Sequence, residues 1–333
     1  MQVVITGATG FLGSHVAEAF VQRGDHVRAL VRPTSQTRFL ESLGVELSRA
    51  SLDQVDRLRE AMRGADLVVH GAAKVEPYGP WREFHETTVQ GTASMLQAAT
   101  EAGVGHFVQI SSVGVYGNPR RDGRPFDETC PYGRPARWNY YSRAKIAAEQ
   151  LVRRAQQAGT LDTTILRPDW MYGPRDVATF GRMAAALRAR RFKWIGDGAN
   201  KLSLIYVTDV ARAVTAVAAS PAARGQVFNV IAGEASVSQR QFISRICQLL
   251  ELPLPATSLP YGLARLAGLA GECVAHGTGF RVCPPLSRLT VLLVGGHRRY
   301  SSAKLQNDLG WRAAVSWEEG TQKTADWYRR ESP

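Results

Sequence analysis

Three glycines in Gly7-Ala8-Thr9-Gly10-Phe11-Leu12-Gly13 follow directly on an apolar run at the start of the chain. Glycines let a backbone approach a pyrophosphate closely, and a helix that opens there presents free N–H groups to the phosphates. The alternative is an ordinary strand-to-helix turn. A position at the first turn of a strand–helix–strand unit favours a dinucleotide site. The predicted contacts are Gly7, Thr9, Gly10, Phe11, Leu12 and Gly13.

The residue that reads the adenosine ribose is expected about 20 positions further on. An acidic side chain there favours NAD. Here the segment is Leu30-Val31-Arg32-Pro33-Thr34-Ser35, with Arg38 nearby. An arginine fork pairs with a 2′-phosphate. The sequence therefore favours NADP(H) and leaves NAD(H) open, with Arg32 stacked on adenine in that alternative.

A phenol and an ammonium stand four residues apart in Tyr141-Ser142-Arg143-Ala144-Lys145, on one face of a helix. Hydride transfer at a secondary alcohol needs a group that takes the hydroxyl proton or, in reduction, returns it. Free tyrosine has a pKa of about 10. We expect the Lys145 cation and an oxidised nicotinamide to lower the pKa of Tyr141, and Lys145 to hold the nicotinamide ribose.

The same spacing recurs in Tyr300-Ser301-Ser302-Ala303-Lys304, which we interpret as structural, with Tyr300 packed and Lys304 solvated. Tyr141 is favoured because it follows a predicted strand ending in Ser111-Ser112, whose carboxyl end reaches the ligand crevice. Ser112 is the predicted hydrogen-bond donor to the substrate oxygen, with Ser111 as the other candidate.

Short apolar runs alternate with helical patterns through the first half of the chain, which predicts a Rossmann-type, doubly wound parallel α/β sheet. The predicted strands are Val3–Ile5, Val27–Val31, Val45–Leu47, Leu67–Val69, Phe107–Ile110, Thr164–Leu166, Leu204–Val207 and Val227–Ile231. We expect a dinucleotide domain over residues 1–175, with returning segments near 203–219 and 227–232, and a smaller substrate-binding part over residues 176–333.

The composition suits a globular chain, with 333 residues, 44% hydrophobic and 21% charged. It excludes disordered, collagenous and coiled-coil classes. The net charge is +12, but the basic residues occur in pairs such as Arg120-Arg121 rather than in blocks, so no nucleic-acid partner is expected. The cysteines are predicted to be free thiols in a cytoplasmic protein, with no metal site and no membrane span; they are Cys130, Cys247, Cys273 and Cys283.

The chain resembles an extended short-chain dehydrogenase/reductase. The matching motifs are the glycine turn, His70-Gly71-Ala72-Ala73, Ser111-Ser112 before Val115-Tyr116-Gly117, Tyr141 with Lys145, Leu166-Arg167-Pro168, Tyr172-Gly173-Pro174 and Tyr206–Ala211. The resemblance implies a Rossmann fold, a nicotinamide cofactor, a Ser112–Tyr141–Lys145 catalytic triad and, through family helices near 84–102 and 139–157, a homodimer. The further cofactor contacts that we predict are Ser51, Leu52, Ala72, Ala73, Lys74 and Pro168.

Two positions depart from the family pattern. Ser51 stands where an acidic residue often contacts adenine, and Thr88 stands where the family often has asparagine.

The C-terminal half resembles the 3β-hydroxysteroid dehydrogenase branch, through Pro284-Pro285-Leu286-Ser287-Arg288, Asp308-Leu309-Gly310-Trp311 and Trp317–Gly320. This resemblance implies a sterol or other hydrophobic substrate. The predicted substrate contacts are Ser112, Tyr78, Trp81, Trp170 and Met171, which suit an apolar ligand. Their alternative role is core packing.

Two other functions stay open at this stage. One is a sugar-nucleotide epimerase or dehydratase that uses Arg175, Arg182 and Arg188 for a diphosphate, and the other is a non-catalytic NADP(H)-binding protein. The segment Leu259–Ala270 also has leucines at helical spacing beside Arg265. We expect this segment to pack in the core, with peripheral membrane contact as the alternative.

Overall fold

The computed structural model describes residues 1–76, 78–117, 123–233, 237–282, 284, 286–296 and 299–331. The regular structure of these residues consists of thirteen strands, thirteen α-helices, two π-helical stretches and two 3₁₀ turns. Cys283, Pro285 and Arg120-Arg121 lie outside the described residues. The strands are β1 (Gln2–Thr6), β2 (His26–Val31), β3 (Glu46–Arg49), β4 (Leu67–His70), β5 (His106–Ile110), β6 (Thr163–Pro168), β7 (Trp170–Tyr172), β8 (Trp194–Ile195), β9 (Lys201–Leu202), β10 (Leu204–Tyr206), β11 (Val227–Val230), β12 (Val237–Ser238) and β13 (Ser258–Leu259).

Helices cover both faces and build the C-terminal part. They are α1 (Phe11–Gln22), α2 (Arg38–Ser42), α3 (Val55–Ala61), α4 (Trp81–Phe84), α5 (Gly91–Glu101), α6 (Tyr140–Gln157), α7 (Arg182–Arg188), α8 (Val207–Ala219), α9 (Gln239–Leu249), α10 (Tyr261–Gly277), α11 (Arg288–Gly295), α12 (Ala303–Leu309) and α13 (Trp317–Glu331). The helix predicted over 84–102 is interrupted, because a π-helical stretch, His85–Gln90, joins α4 to α5.

The central sheet has seven parallel strands in the order β11-β6-β5-β4-β1-β2-β3. Six of its strands are largely buried, which is what a sheet covered by helices on each side requires, whereas the edge strand β3 exposes Glu46 and Arg49. The predicted Rossmann-type, doubly wound fold is confirmed. Strand order reverses between β1 and β4, so the ligand crevice is expected above their carboxyl ends.

Two hydrophobic clusters fill the space between sheet and helices. One joins β1, β2 and β5 to α1 and α8, and includes Phe20, Val214 and Phe228. The other cluster lies on the opposite face of the sheet and contains Met62, just after α3, and Met95 of α5. A third cluster, around Phe180 and Phe242, forms the core of the C-terminal part.

The two segments predicted to return to the first half behave differently. Strand β11 pairs with β6 at the edge of the central sheet. Strand β10 instead pairs with β7 in a separate two-stranded sheet, and the chain returns to the main core through α8. Apolar periodicity shows that a strand is buried but not which strand it pairs with.

The segment containing Leu263 and Leu266 corrects the expectation of core packing. It is helical, but these leucines are 54% and 62% exposed, and α10 buries Ala264, Gly268 and Ala275 instead. A Cβ at Gly268 would lie 2.8 Å from the Arg288 nitrogen, so the small residues bring α10 against the segment that opens α11. Small residues form the contact and the leucines face outward.

Candidate active site

The first turn forms a tight cradle between β1 and α1. A Cβ at Gly13 would lie 2.0 Å from the Gly7 carbonyl oxygen, and one at Gly7 would lie 2.9 Å from the Ala72 nitrogen. Gly7 also has a φ of +72°, which favours glycine. Gly10 precedes α1 without a side chain to cap it, so the first N–H groups remain available to an anion.

The loop after β4 is fastened to both neighbouring elements. The Ala72 N–H donates to Thr6 Oγ1 at 3.2 Å, and the Lys74 N–H donates to Thr88 Oγ1 at 3.1 Å. Buried His70 bonds Thr6 through Nδ1 at 2.7 Å. Sequence reasoning missed Thr6 as a site residue, and noted Thr88 only as a departure from the family pattern.

The remaining predicted cofactor residues lie around this crevice. Arg32 is exposed just after β2 and Pro168 is buried at the end of β6. The Ser51 N–H donates to Gln54 Oε1, and Leu52 packs on the start of α5, where a Cβ at Gly91 would lie 2.7 Å from it. The Lys74 ammonium is paired with Glu76 and Glu83 at 3.2 and 2.8 Å. These two carboxylates reduce the charge that Lys74 offers to a cofactor.

Two local caps bring the catalytic side chains together. The Asn139 side chain accepts from the Ser142 N–H at 3.1 Å and so begins α6, placing Tyr141 in its first turn. Ser112 begins the 3₁₀ turn that follows β5, and its Oγ accepts from the Gly114 N–H at 3.0 Å. This bond uses a lone pair of the hydroxyl, and the Ser112 side chain hydrogen-bonds the Tyr141 phenol.

Gly114 explains how closely Ser112 and Tyr141 approach. A Cβ at this position would lie 3.3 Å from both Ser112 Oγ and Tyr141 Cε1. Glycine therefore lets the 3₁₀ turn reach α6. Gly114 follows directly on Ser111-Ser112-Val113 in the sequence, but its spacing alone did not predict this close approach of the 3₁₀ turn to α6.

The electrostatics of the pair differ from the sequence-based expectation. Burial raises the pKa of Tyr141, opposed by the Ser112 hydrogen bond. Burial also lowers the pKa of Lys145 to about 8, opposed by the Glu149 carboxylate. The Lys145 ammonium donates to the Ile110 carbonyl at 2.9 Å. In the protein alone, Tyr141 is therefore a protonated phenol, and the expected lowering of its pKa is wrong for this state.

A nicotinamide dinucleotide fits these residues. The glycine turn leaves room that a Cβ would fill, and buried Ser111 Oγ has no hydrogen-bond partner within the described part of the protein. A buried hydroxyl without a partner is rare in native proteins and indicates an unmade contact. Among the described residues, no group of three His, Cys, Asp or Glu side chains is arranged to hold a metal.

A buried charged network lies behind the site. Glu149 forms a bidentate ion pair with Arg167, with Oε2 and Nη2 at 2.6 Å, and both side chains are at most 1% exposed. Arg167 Nη1 donates to the Tyr116 hydroxyl, which donates to Asn229 Oδ1, each at 2.8 Å. The network joins α6, β6, β11 and the 3₁₀ turn. Sequence analysis quoted Arg167 and Tyr116 within motifs but did not identify their contact.

The predicted substrate residues occupy different surroundings. Trp81 lies among Tyr140, His85 and Arg143, whose guanidinium is 4.7 Å above its ring. Trp170 packs toward the C-terminal core, whereas Met171, on the other side of β7, packs on the main core. Tyr78 is half-buried in the loop before α4.

The second Tyr–Lys pair lies away from this crevice. Tyr300 is buried, with its ring 6.0 Å from Tyr116, and Lys304 donates to Gln226 Oε1 at 2.7 Å. Tyr300 packs as predicted, and Lys304 is hydrogen-bonded rather than simply solvated.

A family model for the NAD dependent epimerase/dehydratase family matches residues 3–230. The chain belongs to this family. With the crevice described above, membership makes the protein an NAD-dependent oxidoreductase of the extended short-chain dehydrogenase/reductase type, as the sequence motifs predicted. The match begins at β1 and ends at β11, so it covers the whole central sheet.

Three curated proteins are similar to this chain, and each alignment covers most of both sequences. A 4-hydroxy-2-methyl-3-oxo-4-farnesyl-3,4-dihydroquinoline-1-oxide ketoreductase of Stigmatella aurantiaca is 31% identical over 96% of this chain and 94% of its own length. A 2-alkyl-3-oxoalkanoate reductase of Stenotrophomonas maltophilia is 29% identical over 97% and 98%. A 3beta-hydroxysteroid-dehydrogenase/decarboxylase of Arabidopsis thaliana is 28% identical over 97% and 78%.

Solved structures of other proteins share this fold. The crystal structure of gox2253 has a TM-score of 0.81 at 28% identity, covering 99% of this chain and 98% of that one. UDP-glucuronic acid 4-epimerase from Bacillus cereus, in complex with NAD, has a TM-score of 0.79 at 20% identity over both whole chains. The second likeness shows a shared fold alone.

Proposed function

We propose that this family member is a ketoreductase that converts a ketone on a hydrophobic substrate to a secondary alcohol, with NADPH as the preferred reductant. Sterol-type 3-keto substrates are a leading candidate class. The observation that carries the proposal is the grouping of Ser112, a protonated Tyr141 and Lys145 at the ends of β5 and α6. A phenol that keeps its proton at neutral pH suits proton donation, which is the reductive direction.

Each catalytic side chain has a distinct task. Bound NADPH supplies hydride to the carbonyl carbon. Ser112 accepts from the Gly114 N–H, so its own O–H acts as a donor; this O–H bonds Tyr141 in the protein alone and would turn to the substrate oxygen in the complex. Tyr141 donates its proton to that oxygen as the alcohol forms. Lys145, fixed by the Ile110 carbonyl, supports the charge left on Tyr141 and holds the nicotinamide ribose.

The proposal of a hydrophobic substrate has two supports. The names of the relatives include farnesyl, alkyl and steroid groups next to a ketone or hydroxyl. Two of the three arginines predicted for a diphosphate are also engaged elsewhere. Arg182 bonds the Ala178 carbonyl, and the Arg188 guanidinium is 6.0 Å from the centroid of the Tyr328 ring.

The preference for NADP(H) is supported by charge at the end of β2. The segment 32–40 contains Arg32 and Arg38 but no carboxylate. A carboxylate there would accept bonds from the ribose hydroxyls of NAD.

Oxidation of NADPH by the purified protein tests the proposed reaction. A panel would combine 3-keto sterols, 2-alkyl-3-oxoalkanoates and UDP-sugars. We expect turnover with an apolar ketone, and loss of at least about 10³-fold in kcat for Tyr141→Phe with cofactor affinity retained, since the proton donor is removed. Tyr300→Phe, in the second Tyr–Lys pair, is the control and should keep its activity. Epimerisation or dehydration of UDP-sugars consumes no net NADPH, so the UDP-sugars are followed by product analysis, and their conversion alone would establish the epimerase alternative instead.

We also propose that the exposed face of α10 rests on an anionic lipid surface from which an apolar substrate is drawn. Leu263, Leu266 and Val274 are each more than half exposed along one side of the helix. The only carboxylate in α10, Glu272, is bonded to Arg288, whereas Arg265 is exposed. An apolar face with a cationic edge suits an interfacial helix. None of the helices in the described ranges has the length and apolar content to cross a bilayer.

A further inference from the structure

Arg175 lies beside the glycine turn although more than 160 residues separate the two in the sequence. It follows Tyr172-Gly173-Pro174 on the loop after β7. With the first turn and the segment after β2 it lines one cavity of about 110 Å³. The lining residues are Ala8, Thr9, Gly10, Phe11, Ser14, Gln36, Phe39, Leu40 and Arg175. These elements surround the adenosine end of a dinucleotide site in a Rossmann fold.

The backbone at Arg175 is held in an uncommon conformation. Its φ is +71°, in the left-handed region that costs a non-glycine residue free energy. The preceding carbonyl, of Pro174, is bonded to His15 Nε2 at 2.9 Å, and the Val177 N–H donates to the Arg175 carbonyl at 3.0 Å. The loop therefore presents Arg175 toward α1 in a fixed conformation.

The side chain is fixed from two directions. The Arg175 guanidinium lies 4.2 Å from the centroid of the Phe39 ring, and its Nη2 donates to Glu18 Oε2 at 2.6 Å. Its Nε is buried and has no hydrogen-bond partner among the described residues. A buried charged donor without a hydrogen bond costs free energy, so Arg175 Nε lacks an acceptor that a ligand could supply.

We infer that Arg175 binds the 2′-phosphate of NADP(H), together with Arg32. The inference rests on the proposed preference for NADP(H) and adds a residue from outside the β2 segment to it. A phosphate offers the oxygen acceptors that the guanidinium fork matches. Glu18 occupies one nitrogen and orients the fork, and the remaining donors, Nε included, serve the ligand. The stack on Phe39 holds the plane of the guanidinium beside the segment that carries Arg32.

Binding of 2′,5′-ADP and 5′-AMP, measured by calorimetry, tests this assignment because the two ligands differ only in the 2′-phosphate. We compare Arg175→Gly, which removes the guanidinium at a backbone conformation that glycine tolerates, with Arg190→Gly. Arg190 is exposed and also has a positive φ, of +55°, so it is a matched control. Arg175→Gly should weaken binding of 2′,5′-ADP by at least about tenfold, equal to about 1.4 kcal/mol, and leave binding of 5′-AMP within about twofold. Arg190→Gly should change neither.

Glu18→Gln separates ligand binding from a merely structural ion pair. It removes the carboxylate but keeps the cation, so binding of 2′,5′-ADP should be retained. If the Glu18–Arg175 pair served only to hold the loop, Glu18→Gln would reproduce the loss seen in Arg175→Gly, which would overturn the inference. Equal loss of both ligands in Arg175→Gly would assign Arg175 to the shared phosphate and would also overturn it.

The failure of this inference is distinguishable from failure of the proposed function. A wild-type protein that binds 2′,5′-ADP and 5′-AMP equally would overturn the proposed NADP(H) preference and this assignment together. A wild-type preference that persists in Arg175→Gly but disappears in Arg32→Gly would overturn the role of Arg175 alone.

Discussion

At the scale of single residues, the site depends on which side chains keep their protons. Tyr141 is hydrogen-bonded to Ser112, and burial raises its pKa, so the phenol remains a proton donor through neutral pH. Lys145 is the group whose charge changes nearest to physiological pH, because burial lowers its pKa to about 8. As pH rises, Lys145 therefore loses its charge before Tyr141 loses its proton, and the reductive reaction responds to Lys145 first.

We therefore expect kcat/KM for ketone reduction to be level near neutral pH and to fall above an apparent pKa of about 8. Lys145→Arg should move this alkaline limb upward, whatever it does to the maximal rate, since a guanidinium keeps its charge at higher pH. Initial rates between pH 6 and 10 measure it. Lys304→Arg, the same change in the second Tyr–Lys pair, should leave the limb in place. A limb unmoved in Lys145→Arg would contradict the assignment.

At the scale of elements, one buried ion pair joins the helix that carries Tyr141 to the strand that ends at Pro168. Glu149 of α6 and Arg167 of β6 are almost fully buried and are bonded through two oxygens. A buried pair contributes little net stability, but loss of one member leaves an uncompensated charge. The pair therefore keeps α6 in register with the sheet more than it adds stability.

Glu149→Gln should lower the free energy of unfolding by about 3–5 kcal/mol, because Arg167 would keep a buried charge without its partner. Urea denaturation measures the change. Glu101→Gln breaks the exposed pair with Arg59 and should leave the free energy of unfolding almost unchanged, because solvent screens that pair. A double variant, Glu149→Met with Arg167→Met, should be more stable than Glu149→Gln. A loss in Glu149→Gln as small as in the exposed control would contradict this interpretation.

Helix α10 is the element whose exposed face lacks an explanation within the chain. We expect the protein to sediment with vesicles of phosphatidylserine and phosphatidylcholine more than with phosphatidylcholine alone, since the face combines leucines with Arg265. Leu263→Ser with Leu266→Ser should abolish most of this binding. Leu254→Ser removes a leucine that is 59% exposed outside the helix, and should not. Equal binding by both variants would exclude α10 as the contact.

At the scale of the whole molecule, three buried histidines make the fold sensitive to acid. Burial lowers the pKa of His15 and His106 to about 4 and that of His70 to about 3, from 6.5. Between pH 6.5 and 4 the unfolded chain therefore binds protons that the folded chain does not. Stability present above pH 6.5 is lost as pH falls, by about 1.4 kcal/mol per pH unit for each histidine.

The free energy of unfolding should therefore fall between pH 6 and 5, with a slope that corresponds to about three protons taken up on unfolding. His106→Asn should reduce that slope by about one proton, because the ring that bonds Thr164 Oγ1 at 2.8 Å is removed. His106 lies at the start of β5, away from the catalytic residues. His26→Asn changes a ring that is exposed to solvent and serves as the control. Urea denaturation at several pH values measures the slope, and equal slopes in both variants would contradict histidine burial as the cause of the acid sensitivity.

The sequence by itself determined the fold class, the glycine turn and the catalytic residue types, because local spacing encodes them. Apolar runs identify buried strands, and Tyr141 with Lys145 shares a helical face at any placement of that helix. Only the tertiary structure decided that β10 leaves the central sheet, that α10 turns its leucines outward, and that Arg175 reaches the glycine turn. Each of these depends on which distant surfaces meet, and sequence spacing carries no information about such meetings. The pKa of Tyr141 also depends on tertiary structure, because it is burial that raises it and not Lys145, four residues further on, that lowers it.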